Sequence, residues 1–149
     1  MKVICYHVPW QAEVLVRSMA PSFVNSHSSE DEAITDTIST LPREATNVLV
    51  IEDSQLPSDD GFRAAWRVRE GAVVEDEQQC REITEKNLQA KKLDKARELL
   101  EREMMGENIA SERAALRAFD PQAIVVGKTP QQLRAQDMAN PSALRRQPR

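Results

Sequence analysis

The chain is poor in glycine, cysteine and aromatic residues, and it contains no long apolar run. Of its 149 residues only 4 are Gly and 2 are Cys, and aromatic residues make up 4%. Two isolated cysteines, Cys5 and Cys80, argue against a disulfide framework. No apolar run approaches the ~20 residues of a membrane helix, and residues 1–10 lack the apolar core of a signal peptide. We therefore expect a protein that is made in a cytoplasm and does not enter a membrane.

The distribution of charge gives no indication of nucleic-acid binding. The formal net charge is −4, with 6 Lys/Arg and 12 Asp/Glu in residues 1–75 and 14 and 12 in the remainder. Neither part is strongly basic, and the basic residues 143–149 lack the interleaved aromatic rings that stack on bases. We expect no nucleic-acid partner, and we interpret this basic end as a solvated tail.

Histidine is also scarce, which limits the metal and nucleotide sites that the chain can form. His7 and His27 are the only histidines, and a structural zinc site needs four ligands in paired spacings. The Gly127–Thr129 run resembles the end of a phosphate-binding loop, but Gln122 stands where that motif requires its first Gly. The sequence therefore predicts no metal and no cofactor.

Acidic residues are frequent enough to ask whether a carboxylate pair performs catalysis. Glycosidases use such pairs, but they also need a sugar groove that is usually lined by several aromatic rings, and this chain has few. Loop and helix-cap roles are expected instead for the candidate carboxylates, which are Asp53, Asp59, Asp60, Glu75 and Asp76. We expect no catalytic residues and no enzyme activity.

Residues 61–89 change hydrophobic period twice and so predict a local architecture. Between Phe62 and Arg69, apolar residues alternate with Arg, which is the period of a strand with one buried face. Glu70-Gly71 supplies a turn, Ala72–Val74 forms the returning strand, and Asp76 is placed to cap a long helix. The sequence predicts a hairpin feeding a helix, with Trp66 in the core.

The residues before this hairpin predict more strands and one covering helix. Two short strands are expected over 2–10 and 13–17, and a strand over 47–51 is the clearest buried one. A capping box at Ser29 begins a helix over 30–41, whose Ile34 and Ile38 need a sheet to cover them. The predicted fold class is α+β, with a small, mainly antiparallel sheet, one covering helix, a long helix or helical hairpin, and an extended C-terminal arm.

From Asp76 to Met105 the chain is rich in helix-forming residues and has no Pro or Gly. Its apolar stripe, which includes Leu93, Leu100 and Met104, forms a broken heptad. A second helix, capped by Asn108 or Ser111, is expected to run to about Phe119. Two arrangements remain open: the apolar stripes on Leu93–Met104 and Ile109–Phe119 cover each other in an antiparallel helical hairpin, or the long helix packs against another molecule.

The last part of the chain is predicted to contact neighbouring molecules. Ala123–Val126 is predicted to form a short strand that pairs with the edge of a sheet, in this chain or in another. Thr129 and Pro130 begin another helix, with Leu133 on a thin apolar face, and an extended tail follows from Asn140. We divide the chain into a head domain over residues 1–75, a helical part over 76–120 and an arm over 121–149.

The hairpin and helix start resemble a family of small bacteriophage proteins associated with tail fibres and tail assembly. The matching residues are Phe62, Arg63, Ala65, Trp66, Gly71, Ala72, Val73, Val74, Asp76, Arg81, Glu82 and Ile83. The upstream segment 44–62 is similar to the same family, and the resemblance covers about the first two thirds of the chain. It implies a non-enzymatic structural protein of the tail, located in the virion, whose partners are other phage tail or tail-fibre proteins.

A small domain with a long helix and an arm suits an oligomer or a larger assembly. Candidate contact residues are Trp10, Leu93, Leu100, Met104, Ile124, Val125, Val126 and Leu133. Two alternatives remain: a tail-fibre assembly chaperone that is not retained in the virion, and a cytoplasmic adaptor protein.

Overall fold

A computed structural model describes residues 1–58 and 61–138. The chain divides into two compact units, an N-terminal unit over Met1–Asp76 and a C-terminal unit that begins at Glu77. Strands and short helices build the N-terminal unit, and helices build the described part of the other. The predicted α+β class is confirmed. The predicted tail from Asn140 and the carboxylates Asp59 and Asp60 lie outside the described residues.

The N-terminal unit contains a three-stranded antiparallel sheet in the order β2-β1-β3. Its strands are β1 (Lys2–Val8), β2 (Gln11–Ser18) and β3 (Thr46–Glu52). Between β2 and β3 the chain forms the short helix α1 (Pro21–Asn25) and the helix α2 (Glu30–Ser39). The capping box at α2 is present, since the Ser29 hydroxyl accepts a hydrogen bond from the Glu32 N–H at 3.1 Å. Three acidic residues in the first turn also favour this helix end.

Strand β1 is the centre of the unit because both of its faces are covered. Ile4, Tyr6 and Val8 pack with Ala33 and Ile34 of α2 in one cluster. On the opposite face, two further β1 residues pack with residues of β2 and of the following hairpin, in a cluster of Val3, Cys5, Val14, Trp66 and Val73. Helix α2 therefore covers one face of the sheet, as predicted, and the hairpin covers the other.

The prediction that residues 47–51 form the most buried strand was wrong. β3 lies at the edge of the sheet, and Val48 is exposed. An edge strand has a neighbour on one side only, so its side chains have fewer residues to pack against. Ile38 at the end of α2 is likewise exposed, although the sequence placed it in the covered stripe.

The predicted hairpin forms the second sheet, with β4 (Trp66–Arg69) antiparallel to β5 (Ala72–Glu75). Glu70 and Gly71 connect the strands with φ angles of 51° and 76°, the left-handed backbone of a two-residue turn whose twist suits a hairpin. The expected alternation fails just before β4, because Arg63–Ala65 forms a 3₁₀ turn. The turn buries Ala65 instead of Ala64.

In the C-terminal unit, residues 77–138 form one long helix with three shorter ones packed on it. Helix α3 spans Glu77–Met104, 28 residues, and begins directly after Asp76. It is followed by α4 (Ala110–Ala118), α5 (Pro121–Val125) and α6 (Pro130–Met138). The start signals at Thr129 form a capping box, in which Thr129 and Gln132 exchange side-chain to backbone hydrogen bonds.

The predicted strand over Ala123–Val126 was wrong, because these residues lie in and just after helix α5. Pro121 occupies the first turn of α5, and the Asp120 carboxylate accepts a hydrogen bond from the Gln122 N–H at 3.2 Å. A proline inside a carboxylate-capped first turn is a strong helix start. This local signal outweighs the β preference of Ile124-Val125-Val126.

Candidate protein-interaction surface

Helix α3 has one face covered by the helices that follow it. Leu99 packs with Ile109 and Leu116 in a buried cluster, and Cys80, Thr84 and Leu88 are buried further toward the N-terminal end. The Lys92 ammonium donates to the Phe119 carbonyl at 2.7 Å, which ties α3 to the end of α4. The predicted helical hairpin is present, but it buries Leu99 and not the apolar stripe that was expected to be covered.

Charged residues hold the turn between α3 and α4. The Arg102 guanidinium donates to both oxygens of Glu112 at 2.6 and 2.8 Å and to Glu107 at 2.7 Å. These hydrogen bonds, those to Glu112 first, raise the pKa of Arg102 and keep it charged. Arg113 pairs with Glu103 of α3. The fork of Arg102 therefore fixes the direction in which α4 returns along α3.

The opposite face of α3 carries a row of uncovered apolar side chains, which we call the α3 stripe: Leu93, Leu100 and Met104. Their exposed fractions are 53%, 57% and 79%. At 100° per residue the three positions fall within about 40° of each other and about 100–160° around the helix from Leu88 and Leu99. Single exposed leucines are ordinary, but an aligned row on a rigid helix is the geometry that partner helices bind. The α3 stripe is the candidate functional site.

The other predicted contact residues divide into two groups. Trp10, in the connection between β1 and β2, is 64% exposed, Val126 is exposed and Ile124 is half-buried. Val125 and Leu133, by contrast, are both buried. They lie on α5 and α6, which pack on α3, so their apolar side chains serve the core of the C-terminal unit.

Met105 was missed by the sequence analysis, although it is exposed beside Met104. It follows the last residue of α3 and does not belong to the stripe. Two consecutive methionines at a helix end were a readable signal, since Met is frequent at adaptable binding surfaces.

A cavity of about 350 Å³ opens between the first turns of α3 and the α5 region. Arg81 lines it, but its guanidinium already donates to the Lys128 carbonyl at 3.2 Å and to the Gln78 side chain at 3.1 Å. Arg81 thus braces the connection between α5 and α6. Glu82 and Glu85 add negative charge to the wall of the cavity.

The two histidines connect elements of the N-terminal unit. His7 Nε2 on β1 accepts the Val68 N–H of β4 at 3.2 Å, and burial, with Arg67 nearby, lowers the pKa of His7. His27 lies 2.8 Å from the Phe23 carbonyl and 2.7 Å from the Asp36 carboxylate, one through each ring nitrogen. These two acceptors raise the pKa of His27. Their geometry suits structural links in both cases.

Over residues 1–58 and 61–138, no group of three or more His, Cys, Asp or Glu side chains is placed to hold a metal ion. Within the same residues, no helix combines the length and apolar character needed to span a membrane. In comparisons with protein-family models, curated proteins and solved structures, the chain has no significant match.

Proposed function

We propose that the protein is a non-enzymatic structural protein of a bacteriophage tail or tail fibre, and that it binds other phage proteins through helix α3. Two observations support this proposal. Residues from Phe62 to Ile83 resemble those of small phage tail proteins, and α3 carries an uncovered apolar row. The resemblance supplies the biological setting, and the α3 stripe supplies the contact surface.

The α3 stripe is the observation that carries the proposal of a binding role. Burial of apolar area contributes about 25 cal/mol per Å² to the free energy of association. A partner that covers Leu93, Leu100 and Met104 therefore gains binding free energy from this area. The helix beneath them is anchored on its other face by Leu99 and by the Arg102 fork. A partner therefore meets a surface that needs little ordering on binding.

The experiment is an affinity pull-down of the tagged protein from infected cells, with quantitative mass spectrometry. A Leu93→Glu/Leu100→Glu variant places two charges on the stripe, and a Ser111→Glu/Ala114→Glu variant adds the same charge at exposed positions of α4. We expect wild type and the α4 variant to capture tail or fibre proteins, and the stripe variant to lose them at least tenfold.

Circular dichroism of the purified variants first establishes that both remain folded. Equal capture by the stripe variant contradicts α3 as the contact surface. Capture of host proteins alone contradicts the tail role and supports the adaptor alternative. Capture of fibre protein from lysate together with absence from virions supports the assembly chaperone.

A further inference from the structure

We propose that the α3 stripe is occupied by a second copy of this chain, with the two α3 helices antiparallel. The proposal rests on the proposed function in treating α3 as a contact surface, and it assigns the stripe to a second copy wherever no other phage protein occupies it. The exposed face repeats at alternating intervals of four and three residues, the spacing of a helix-pairing seam. Its members are Lys86, Ala90, Leu93, Arg97, Leu100 and Met104, all exposed.

Charge selects the antiparallel orientation. A parallel pair in register places Lys86 against Lys86 and Arg97 against Arg97, which is unfavourable near a desolvated seam. An antiparallel pair centred on residue 95 brings Arg97 beside Asp94 of the second copy, and Lys86 beside Glu103. Asp94 lies 3.8 Å from Arg97 within one chain, and Glu103 also pairs with Arg113. The antiparallel helix dipoles add a further favourable contribution.

The same register gives the apolar residues suitable neighbours. Ala90 faces Leu100 of the second copy, so a small residue meets a large one. Leu93 faces the aliphatic stem of Arg97, whose guanidinium extends past the seam toward Asp94. Each of these contacts occurs twice because the pair has two-fold symmetry.

The extent of the seam predicts a dissociable pair. From residue 86 to 104 the helix is about 27 Å long at 1.5 Å per residue. With only Leu93, Leu100, Met104 and Ala90 as apolar members, the interface falls in the low class, below about 1,200 Å² in total. Pairing of this strength becomes effective where copies are held close together, as they are in an assembly.

Sedimentation velocity of the purified full chain tests the pairing. We expect reversible dimers over ~10–300 μM, corresponding to a micromolar Kd. The Leu93→Glu/Leu100→Glu variant should remain monomeric, and the Ser111→Glu/Ala114→Glu control should behave as wild type. A wild-type monomer throughout this range overturns the proposal, as does an unchanged dimer in the stripe variant.

Cross-linking tests the orientation. Ala90→Cys and Leu100→Cys chains with tags of different size are mixed under mild oxidation, and wild type is the control because Cys5 and Cys80 are buried. The antiparallel register predicts the mixed disulfide, since two residues 90 lie about 15 Å apart along the axis, too far for a bond. Dominant Ala90→Cys homodimers overturn this register. The assay uses no phage partner, so it is independent of the pull-down.

Discussion

Individual side chains in the N-terminal unit show how similar residues take opposite roles. Trp66 is 2% exposed and packs with Val3, Cys5 and Val14, while Arg63 lies 4.3 Å above its ring. Trp10 has the same side chain but projects from a strand connection. Burial therefore distinguishes the core tryptophan from the surface one.

We predict that Trp66→Ala lowers the free energy of unfolding by about 3–5 kcal/mol, because it leaves a large cavity between the sheet and the hairpin. Trp10→Ala is the matched control and should change stability by less than about 0.5 kcal/mol. Urea unfolding followed by circular dichroism measures both values. A stable Trp66→Ala protein refutes the core assignment.

The histidines predict opposite pH dependences. The raised pKa of His27 gives stability that is fully present below its unfolded value of about 6.5 and is lost as pH rises through the raised pKa. The stability difference between wild type and His27→Gln should therefore be larger at low pH and shrink as pH rises. Urea unfolding between pH 5 and 8.5 measures this difference, and a pH-independent difference contradicts the link to Asp36.

The lowered pKa of His7 has the reverse effect, since its contribution is present above about pH 6.5 and is lost as pH falls through the lowered pKa. In the same titration, the difference between wild type and His7→Gln should shrink toward low pH. Slopes of the same sign for the two histidine variants contradict the assigned surroundings of His7.

At the scale of elements, the β4–β5 hairpin depends on two residues with positive φ. Gly71 has open space where a Cβ would lie. A side chain there therefore meets no neighbouring atom, and its cost is the energy of holding an L-residue at positive φ. We predict that Gly71→Ala destabilises the N-terminal unit by about 1 kcal/mol, and that Glu70→Asn stabilises it by a few tenths of a kcal/mol because Asn-Gly favours this turn. Thermal unfolding measures both, and equal signs contradict the turn assignment.

Helix α3 has two faces with adjacent leucines of opposite environment. Leu99 is 3% exposed and lies in the cluster with Ile109 and Leu116, whereas Leu100 belongs to the stripe. We predict that Leu99→Ala costs about 2–4 kcal/mol and Leu100→Ala less than about 1 kcal/mol. Urea unfolding at low protein concentration measures both, so that dimerisation does not contribute. Equal costs contradict the assigned faces.

Local signals predicted most elements, but burial within them depended on long-range packing. The α2 cap, the Glu70-Gly71 turn and the Thr129 start depend on adjacent residues, and they formed as expected. The apolar composition of β3 predicted a core strand, because composition does not show which strand lies at the edge of a sheet. In the same way, Val125 and Leu133 read as contact residues because nothing local shows that α5 and α6 fold back on α3. The α3 stripe was predicted from its periodicity, and its uncovered state required the structure.

At the scale of the whole molecule, the two units expose different surfaces. The N-terminal unit buries its cores on both faces of β1 and exposes Trp10, while the C-terminal unit presents the α3 stripe. This arrangement suits a component that is repeated within an assembly.

The most direct test of the proposed tail role is quantitative mass spectrometry of purified, salt-washed virions from the phage to which the proposal assigns this chain. The account predicts peptides of the protein at a copy number comparable to that of tail or fibre proteins, and an even copy number per tail if α3 pairs. Absence of the protein from particles, while it is abundant in the infected-cell lysate, would contradict a structural role in the virion.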